Sequence, residues 1–324
     1  MTESTDLFHP VADDLSAVEA ALRQEIDGDP PVVASPMKDL FEAGGKRIRP
    51  ALVLLAARCG RYDIQRLTPA AMAVELTHAA TLVHDDVIDR SAFRRGRPTV
   101  AARLGDEPAI VIGDYYFAKA YELAARTDSP EVVAILAHTV MNICAGEVRQ
   151  QAVRYRYSTP VDEYMRRIDA KTATLLAACC EIGALLGGLP PTQRAALQNY
   201  GRMLGLAFQI ADDLLDYTGT EGEIGKPTAH DIAEGFATLP LMLAGTDPSA
   251  AASLASLLID NRKLDQAQAD EVVRLVCQSD GPRLALERAR IHAAAAREQL
   301  NALPPGEAVG TLAALADYVV SRKL

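Results

Sequence analysis

Six aspartates in two matched groups are the residues of this sequence best equipped for chemistry. One group is His84-Asp85-Asp86-Val87-Ile88-Asp89; the other is Gln209-Ile210-Ala211-Asp212-Asp213-Leu214-Leu215-Asp216. On a helix, Asp85 and Asp89 share a face one turn apart, and Asp86 and Asp89 are neighbours at three-residue spacing. Packed carboxylates repel, and the C-terminal end of a helix disfavours anions further, so the arrangement is unfavourable unless cations sit there. Oxygen-only donors completed by water and ligand phosphates are what Mg²⁺ prefers. A single cluster of this kind reads equally well as a solvated acidic helix end. Its recurrence with the same DDxxD spacing, closing a second helix rich in Leu and Ala, favours paired metal sites facing each other across a cavity.

An anionic ligand also needs cations, and three segments supply them. Gly44-Gly45-Lys46-Arg47-Ile48-Arg49-Pro50 sets basic residues among glycines beside a helix start, a good seat for phosphate. Arg94-Arg95-Gly96 follows the first cluster in a turn-forming stretch, within bidentate reach of the same ligand. Gly225-Lys226-Pro227 lies in the loop after the second cluster. Each alone is an ordinary surface patch. Together with the carboxylates they make a charge-balanced site for more than one diphosphate.

The elements that position these residues are helices. The chain of 324 residues is 49% apolar with 5% aromatics and no Trp, and Ala and Leu dominate, so a large helical core is favoured. Apolar residues recur with helical period over 11–26, 37–43, 50–59, 69–89, 108–126, 131–155, 161–186, 193–217, 238–243, 265–278, 282–302 and 310–322. Almost nowhere do they alternate as strands would. Pro30-Pro31, 94–98, Ser158-Thr159-Pro160, 187–191, 219–228 and Pro304-Pro305-Gly306 punctuate the pattern. No compositional shift marks a linker. The expectation is an all-α single domain over 1–324, with 1–36 as an N-terminal arm and helix.

A net charge of −10 argues against a nucleic-acid partner, which would need a basic face. The five cysteines are odd in number and lack metal-ligand spacing, so they read as reduced core thiols of a cytoplasmic protein. The N-terminus is acidic, unlike a signal peptide. The most apolar stretch, 174–188, is interrupted by Glu181 and too short to span a bilayer. Arg154, Tyr155, Arg156 and Tyr157 read as a solvated loop, and His138 and His292 as packing or surface residues. No Cys/His or Ser/His/Asp constellation suggests a protein nucleophile.

In order, GGKRIRP, DDVID with RRG, Lys171-Thr172, FQIADDLLD and GKP resemble the polyprenyl synthetase family of trans-prenyltransferases, from about Gly44 to the C-terminus. The resemblance implies antiparallel helices bundled around a deep central cavity (the isoprenoid synthase fold), and usually a homodimer. It implies that Lys46, Arg49, His78 and Arg95 hold the diphosphate of isopentenyl diphosphate. Asp85, Asp89 and Asp212 would bind Mg²⁺ bridging an allylic diphosphate, supported by Asp86, Asp213 and Asp216. Arg94, Lys171 and Lys226 would contact that allylic diphosphate, and Thr172 and Gln209 would lie beside the developing allylic cation. Ala229 and Phe236 depart from the pattern, standing where the family often has Gly and Lys, which removes one diphosphate contact.

The resemblance also runs the growing product along the helix bearing Asp85, past Thr81, Ala80 and Thr77, then Val74 and Ala73. None is bulky, whereas short-chain members commonly place an aromatic ring four or five positions before the first Asp. The expected product, built on farnesyl or geranylgeranyl diphosphate, is therefore long, a quinone side chain. Tyr115, Tyr116, Phe117 and Tyr121 on the next helix read equally as a deeper floor or as plain core. The alternatives are a geranylgeranyl diphosphate synthase and a subunit of a heteromeric synthase. A terpene cyclase would not need GGKRIRP and Arg95, and a Ca²⁺-binding scaffold would bind metal without diphosphate. No transmembrane segment is expected, and contact with a membrane surface for product release stays open.

Overall fold

The computed structural model describes residues 7–42, 44, 47–219 and 230–321. Its first helices are α1 (Ala12–Asp27), α2 (Pro31–Glu42), α3 (Ile48–Arg58) and α4 (Ile64–Ile88). A short hairpin of β1 (Phe93–Arg94) and β2 (Arg97–Pro98) precedes α5 (Val100–Leu104), α6 (Asp106–Ala125) and α7 (Pro130–Ala152). Then α8 (Val161–Ile168) runs through a π-helical turn, Asp169–Ala173, into α9 (Thr174–Leu186). The remainder is α10 (Pro191–Thr218), α11 (His230–Ala233), α12 (Leu239–Ala244), α13 (Ala251–Leu257), α14 (Gln266–Gln278), α15 (Gly281–Gln299) and α16 (Glu307–Ser321). The described residues form two compact units.

Unit one comprises Met1–Val140, Leu175–Gly201 and Gln299–Ala314. Helix α4 is its spine. It buries Leu67, Met72, Val74, Leu76 and Val83, and like any helix apolar on all sides it is enclosed by others. Asp63 caps it by accepting from the Gln65 backbone N–H at 3.1 Å, so it starts five residues before the expected Pro69, which lies inside the helix. Likewise α2 begins at Pro31 rather than residue 37, because a first-turn proline forfeits no hydrogen bond. Helix α6 packs along α4 through a notch at Gly113. A Cβ there would fall 2.1 Å from His84 Nε2, so only glycine lets that ring lie against α6 and meet the Ile110 carbonyl at 2.9 Å.

Unit two comprises Met141–Thr174, Arg202–Glu298 and Leu315–Leu324. One apolar centre gathers Tyr164, Ile168, Ala173, Leu206, Ile210, Leu239, Ala285 and Ala289. Another gathers Tyr157, Tyr217, Ile232, Leu241, Leu254 and Val272. The expected solvated loop at Arg154–Tyr157 is instead packed. Tyr157 is 9% exposed and donates to the Arg262 carbonyl at 3.0 Å, while the Tyr155 N–H bonds the Gly235 carbonyl at 2.8 Å. Burying the rings outweighs the neighbouring charges, because Arg154 stacks over Tyr155 and Phe236 instead of being stripped of partners. Cys179 and Cys180 are buried core thiols as expected, but Cys144 and Cys277 are exposed. On α7 the exposed residues Ala134, His138, Met141, Ala145, Val148 and Ala152 recur at helical spacing, so Cys144 belongs to a side of the helix that no described element covers.

Candidate active site

In unit one the first aspartate group closes α4. Asp89 is the C-cap, its N–H donating to the Asp85 carbonyl at 2.8 Å. Asp85 and Asp89 are half-buried, whereas Asp86 is only 3% exposed. Arg94 engages Asp86 through Nε (2.9 and 3.1 Å to the two carboxylate oxygens) and Nη2 (2.8 Å). The hairpin makes this possible. Arg95 and Gly96 form its two-residue loop with φ of 51° and 75°, the positive values that a tight hairpin turn requires. Arg94, expected as a direct diphosphate contact, thus already has a carboxylate partner. Arg97 of the hairpin is held by Glu42 at 3.2 Å, and Arg103 of α5 pairs with Asp39, so the hairpin and α5 are both tied to α2.

Of the residues expected to hold isopentenyl diphosphate, Arg49 lies at the start of α3, His78 on α4 and Arg95 in the hairpin loop. Arg47 caps α3 with φ 50° and donates to Glu75 at 3.0 Å, to Glu19 at 2.8 Å and to the Phe41 carbonyl at 3.2 Å. Arg49 Nε is buried without a hydrogen-bond partner, as is Glu75 Oε2. Burial depresses the Arg49 pKa, with Glu75 opposing. Burial and then the neighbouring Arg94 and Arg47 depress that of Arg95. His78 lies well below its usual value, first through burial and then through Arg49, Arg95, Arg94 and Arg47, so it is a neutral imidazole at neutral pH. The unpartnered Arg49 Nε and the crowding of cationic neighbours about His78 suit an anion. Lys46 lies outside the described residues, as does Lys226 in the loop after the second cluster.

Along α4, Thr77 and Ala80 are fully buried, and the Thr77 hydroxyl bonds the Ala73 carbonyl at 2.8 Å. Thr81 is half-buried and bonds the His78 carbonyl at 2.7 Å. Of the aromatics on α6, Tyr116 is buried and bonds the Val33 carbonyl at 3.2 Å, and Tyr115 bonds Asp29 at 2.7 Å. Both are anchors between helices, which favours the plain-core reading for those two.

In unit two, Lys171 and Thr172 sit in the π turn, which inserts one residue and re-aims the side chains around it. Lys171 Nζ donates to Glu147 at 2.7 Å. Thr172 donates to Gln209 Oε1 at 2.7 Å, Gln209 Nε2 donates to Asp213 Oδ1 at 2.6 Å, and Tyr164 donates to Asp213 Oδ2 at 2.7 Å. Burial, then the charge of Asp231, pushes the Asp213 carboxyl up to about 7 against these donors. Asp212 is exposed, and Asp216 accepts the backbone N–H groups of His230 (3.3 Å) and Asp231 (3.0 Å), capping α11. Phe236, in place of the family's usual Lys, is buried with Arg154 and Arg167 over its ring at 5.5 and 5.8 Å.

Among the described residues, no three His, Cys, Asp or Glu side chains converge into a ready-made metal cage. The donor chemistry nonetheless fits a hard divalent cation. Each unit offers two carboxylates one turn apart (Asp85 with Asp89, Asp212 with Asp216), and Mg²⁺ takes only one or two from a protein.

The polyprenyl synthetase family pattern matches residues 30–276. The chain belongs to that family. It is 40% identical over 98% of both chains to heptaprenyl diphosphate synthase component 2 of Geobacillus stearothermophilus. Among solved structures it is similar to a decaprenyl diphosphate synthase of Rhodobacter capsulatus (TM-score 0.90, 37% identity, covering 98% of this chain and 99% of that one). It is similar as well to a polyprenyl synthase of Caulobacter crescentus CB15 that was crystallised with calcium and isoprenyl diphosphate (TM-score 0.93, 34% identity, covering 99% and 98%). The protein is thus a prenyltransferase of isoprenoid biosynthesis, and the all-α class expected from the sequence is that of the isoprenoid synthase fold. Four residues beside this polyprenyl synthetase's expected set went unassigned in the sequence: Arg47, Glu75, Glu147 and Tyr164. Glu75 and Glu147 left a signal, each being a lone acid in an apolar helical run. Tyr164 left none, since a tyrosine on an amphipathic helix looks like any core residue.

Proposed function

We propose that this polyprenyl synthetase joins isopentenyl diphosphate to an allylic diphosphate, farnesyl or geranylgeranyl, and extends it to a long all-trans polyprenyl diphosphate, a quinone side-chain precursor. The observation that carries the reading is the cluster of Arg47, Arg49 and Arg95 around a neutral His78, an anion seat additional to the aspartates. A neutral imidazole can hydrogen-bond a diphosphate without adding to the repulsion among its arginine neighbours. Arg49, His78, Arg95 and Lys46 hold the isopentenyl diphosphate, and Lys171, Arg94 and Lys226 contact the allylic one.

Mg²⁺, when bound, supplies positive charge to the departing diphosphate. Asp85 and Asp89 in unit one, and Asp212 in unit two, would each hold such an ion, with Asp86, Asp213 and Asp216 in support. The allylic C1–O bond breaks with its electron pair leaving on diphosphate. The double bond of isopentenyl diphosphate then forms the new C–C bond, and a proton lost to diphosphate restores an allylic double bond. Thr172 and Gln209 turn their dipoles toward the developing cation, so catalysis is electrostatic and needs no protein nucleophile. Water must be kept out while the cation lives.

The small residues Ala80 and Thr81 upstream of Asp85 support a long product, as do the heptaprenyl and decaprenyl relatives. The name "component 2" favours a second reading, a subunit that needs a partner polypeptide. The apolar stripe on α7 is the face we assign to pairing, with a second copy in the first reading and with another chain in the second. That helix is also the one among the described residues long and apolar enough to cross a membrane, but a pairing face meets the same test. The deciding assay incubates the purified protein alone with Mg²⁺, labelled isopentenyl diphosphate and farnesyl diphosphate, then sizes the dephosphorylated alcohols. Products beyond geranylgeraniol support the stand-alone long-chain enzyme. Growth stopping at geranylgeraniol means a short-chain synthase, and no condensation with any allylic primer means that a partner is required.

A further inference from the structure

The polarity of the Thr172–Gln209 pair is set from behind, within unit two. When ionised, Asp213 only accepts hydrogen bonds, so the group that Gln209 turns to it is then its NH₂, at 2.6 Å from Oδ1. Gln209 Oε1 therefore faces Thr172, whose hydroxyl must donate to it. Thr172 is left presenting oxygen lone pairs in every other direction. With the amide reversed, Gln209 would donate to Thr172, and the hydroxyl would present its hydrogen instead. That end of the dipole would oppose a developing positive charge.

What holds Asp213 in this role is Tyr164. The phenol is 1% exposed, its ring lies among Ile168, Leu206, Ile210 and Leu239, and its OH reaches Asp213 Oδ2 at 2.7 Å. Without that donor, one oxygen of the buried carboxylate would lose its hydrogen bond, and the carboxylate would turn to recover a partner. Gln209 would then lose the contact that orients its amide.

We infer that Tyr164 is a positioning residue for prenyl transfer: through Asp213 it orients the Gln209 amide so that Thr172 offers oxygen, not hydrogen, to the allylic cation. The inference rests on the proposed function, in which Thr172 and Gln209 face that cation. Tyr164→Phe should lower kcat roughly tenfold, the scale of one hydrogen bond to a charged group, and leave both KM values within about twofold. Combined with Thr172→Val it should add nothing further, because both changes disable one chain of dipoles. A merely structural tyrosine would instead give a kcat loss that multiplies with that of Thr172→Val, or none. If Tyr164→Phe fails to fold, Asp213→Asn serves in its place, and an unchanged kcat there overturns the inference equally. An active wild type with an unmoved kcat in Tyr164→Phe sinks the inference alone. A wild type that condenses nothing with any primer sinks the stand-alone reading and this inference with it.

Discussion

The two aspartate clusters share spacing and helix position and differ in how the middle acid is held. In unit one, Asp86 is gripped by a guanidinium, Arg94, delivered on a hairpin. In unit two, buried Asp213 is met by two neutral donors, a phenol and an amide, with the charges of Asp231 and Arg167 acting on it in opposite senses. The first arrangement uses the carboxylate to anchor a cation-bearing loop. The second uses it to orient a neighbouring amide. The middle acid of a DDxxD spacing therefore takes whatever structural duty its own unit requires.

The largest effect should fall on what the clusters share. Asp85→Ala and Asp212→Ala should each lower kcat/KM on the order of 10³-fold, the loss of several kcal/mol of charge stabilisation. Steady-state assays with labelled isopentenyl diphosphate measure both, and a loss confined to one variant would break the parallel. Next comes the ring that replaces the family's usual Lys in unit two. Phe236→Lys should destabilise by about 3 kcal/mol in denaturant unfolding, because it removes a buried ring and sets a third cation beside Arg154 and Arg167. A tighter KM in that variant would mean that the site lacks a cation after all.

The middle acids should then diverge. Asp86→Asn strips Arg94 of its carboxylate and should cost about 2 kcal/mol, discounted for the partial exposure of Arg94, whereas Asp213→Asn should cost under about 1 kcal/mol. The pH dependence differs as well. Asp213 has a raised folded-state pKa, so its contribution to stability is fully present below the ordinary carboxylate value and is lost as pH rises through about 7. Unfolding midpoints taken between pH 4 and pH 7 should show that decline in the wild type, and Asp213→Asn should flatten it. The mildest contrast is between thiols. Burial holds Cys59 up at about 11 and Cys179 at about 12, so at pH 8 neither offers much thiolate. Iodoacetamide at that pH should reach exposed Cys144 of unit two ahead of these two thiols only where the α7 face is unpaired, and protection of Cys144, read by mass spectrometry of the native protein, would support pairing there.

Chemistry written locally was legible in the sequence. The aspartate spacing, the GGKRIRP cations and the helical period each lie within a short window, so elementary rules of repulsion and periodicity reach them. The partners that hold them in place do not. Glu75 meets Arg47 across 28 residues, Glu147 meets Lys171 across 24, and Tyr164 meets Asp213 across 49. Nothing in a window of one or two turns announces such a meeting. The same distance effect hid the packing of Tyr157, which depends on Arg262 far along the chain. Helix starts failed where a cap overruled a proline, as Asp63 does for Pro69.

The π turn at Asp169–Ala173 has a consequence for how this stretch can change over time. Five residues there occupy a wider loop of backbone than an α-helix would give them, and Thr174–Leu186 follows in unbroken helix. Deleting one of them would close the wide turn to ordinary α-helix and leave the register downstream as it is, because the wide turn is what absorbs the extra residue. Leu175, Leu176, Cys179 and Ile182, all buried, would keep their side. What would change is the direction of Lys171 and Thr172, which lie inside the turn. A one-residue gap here would therefore spare the fold and re-aim these two side chains.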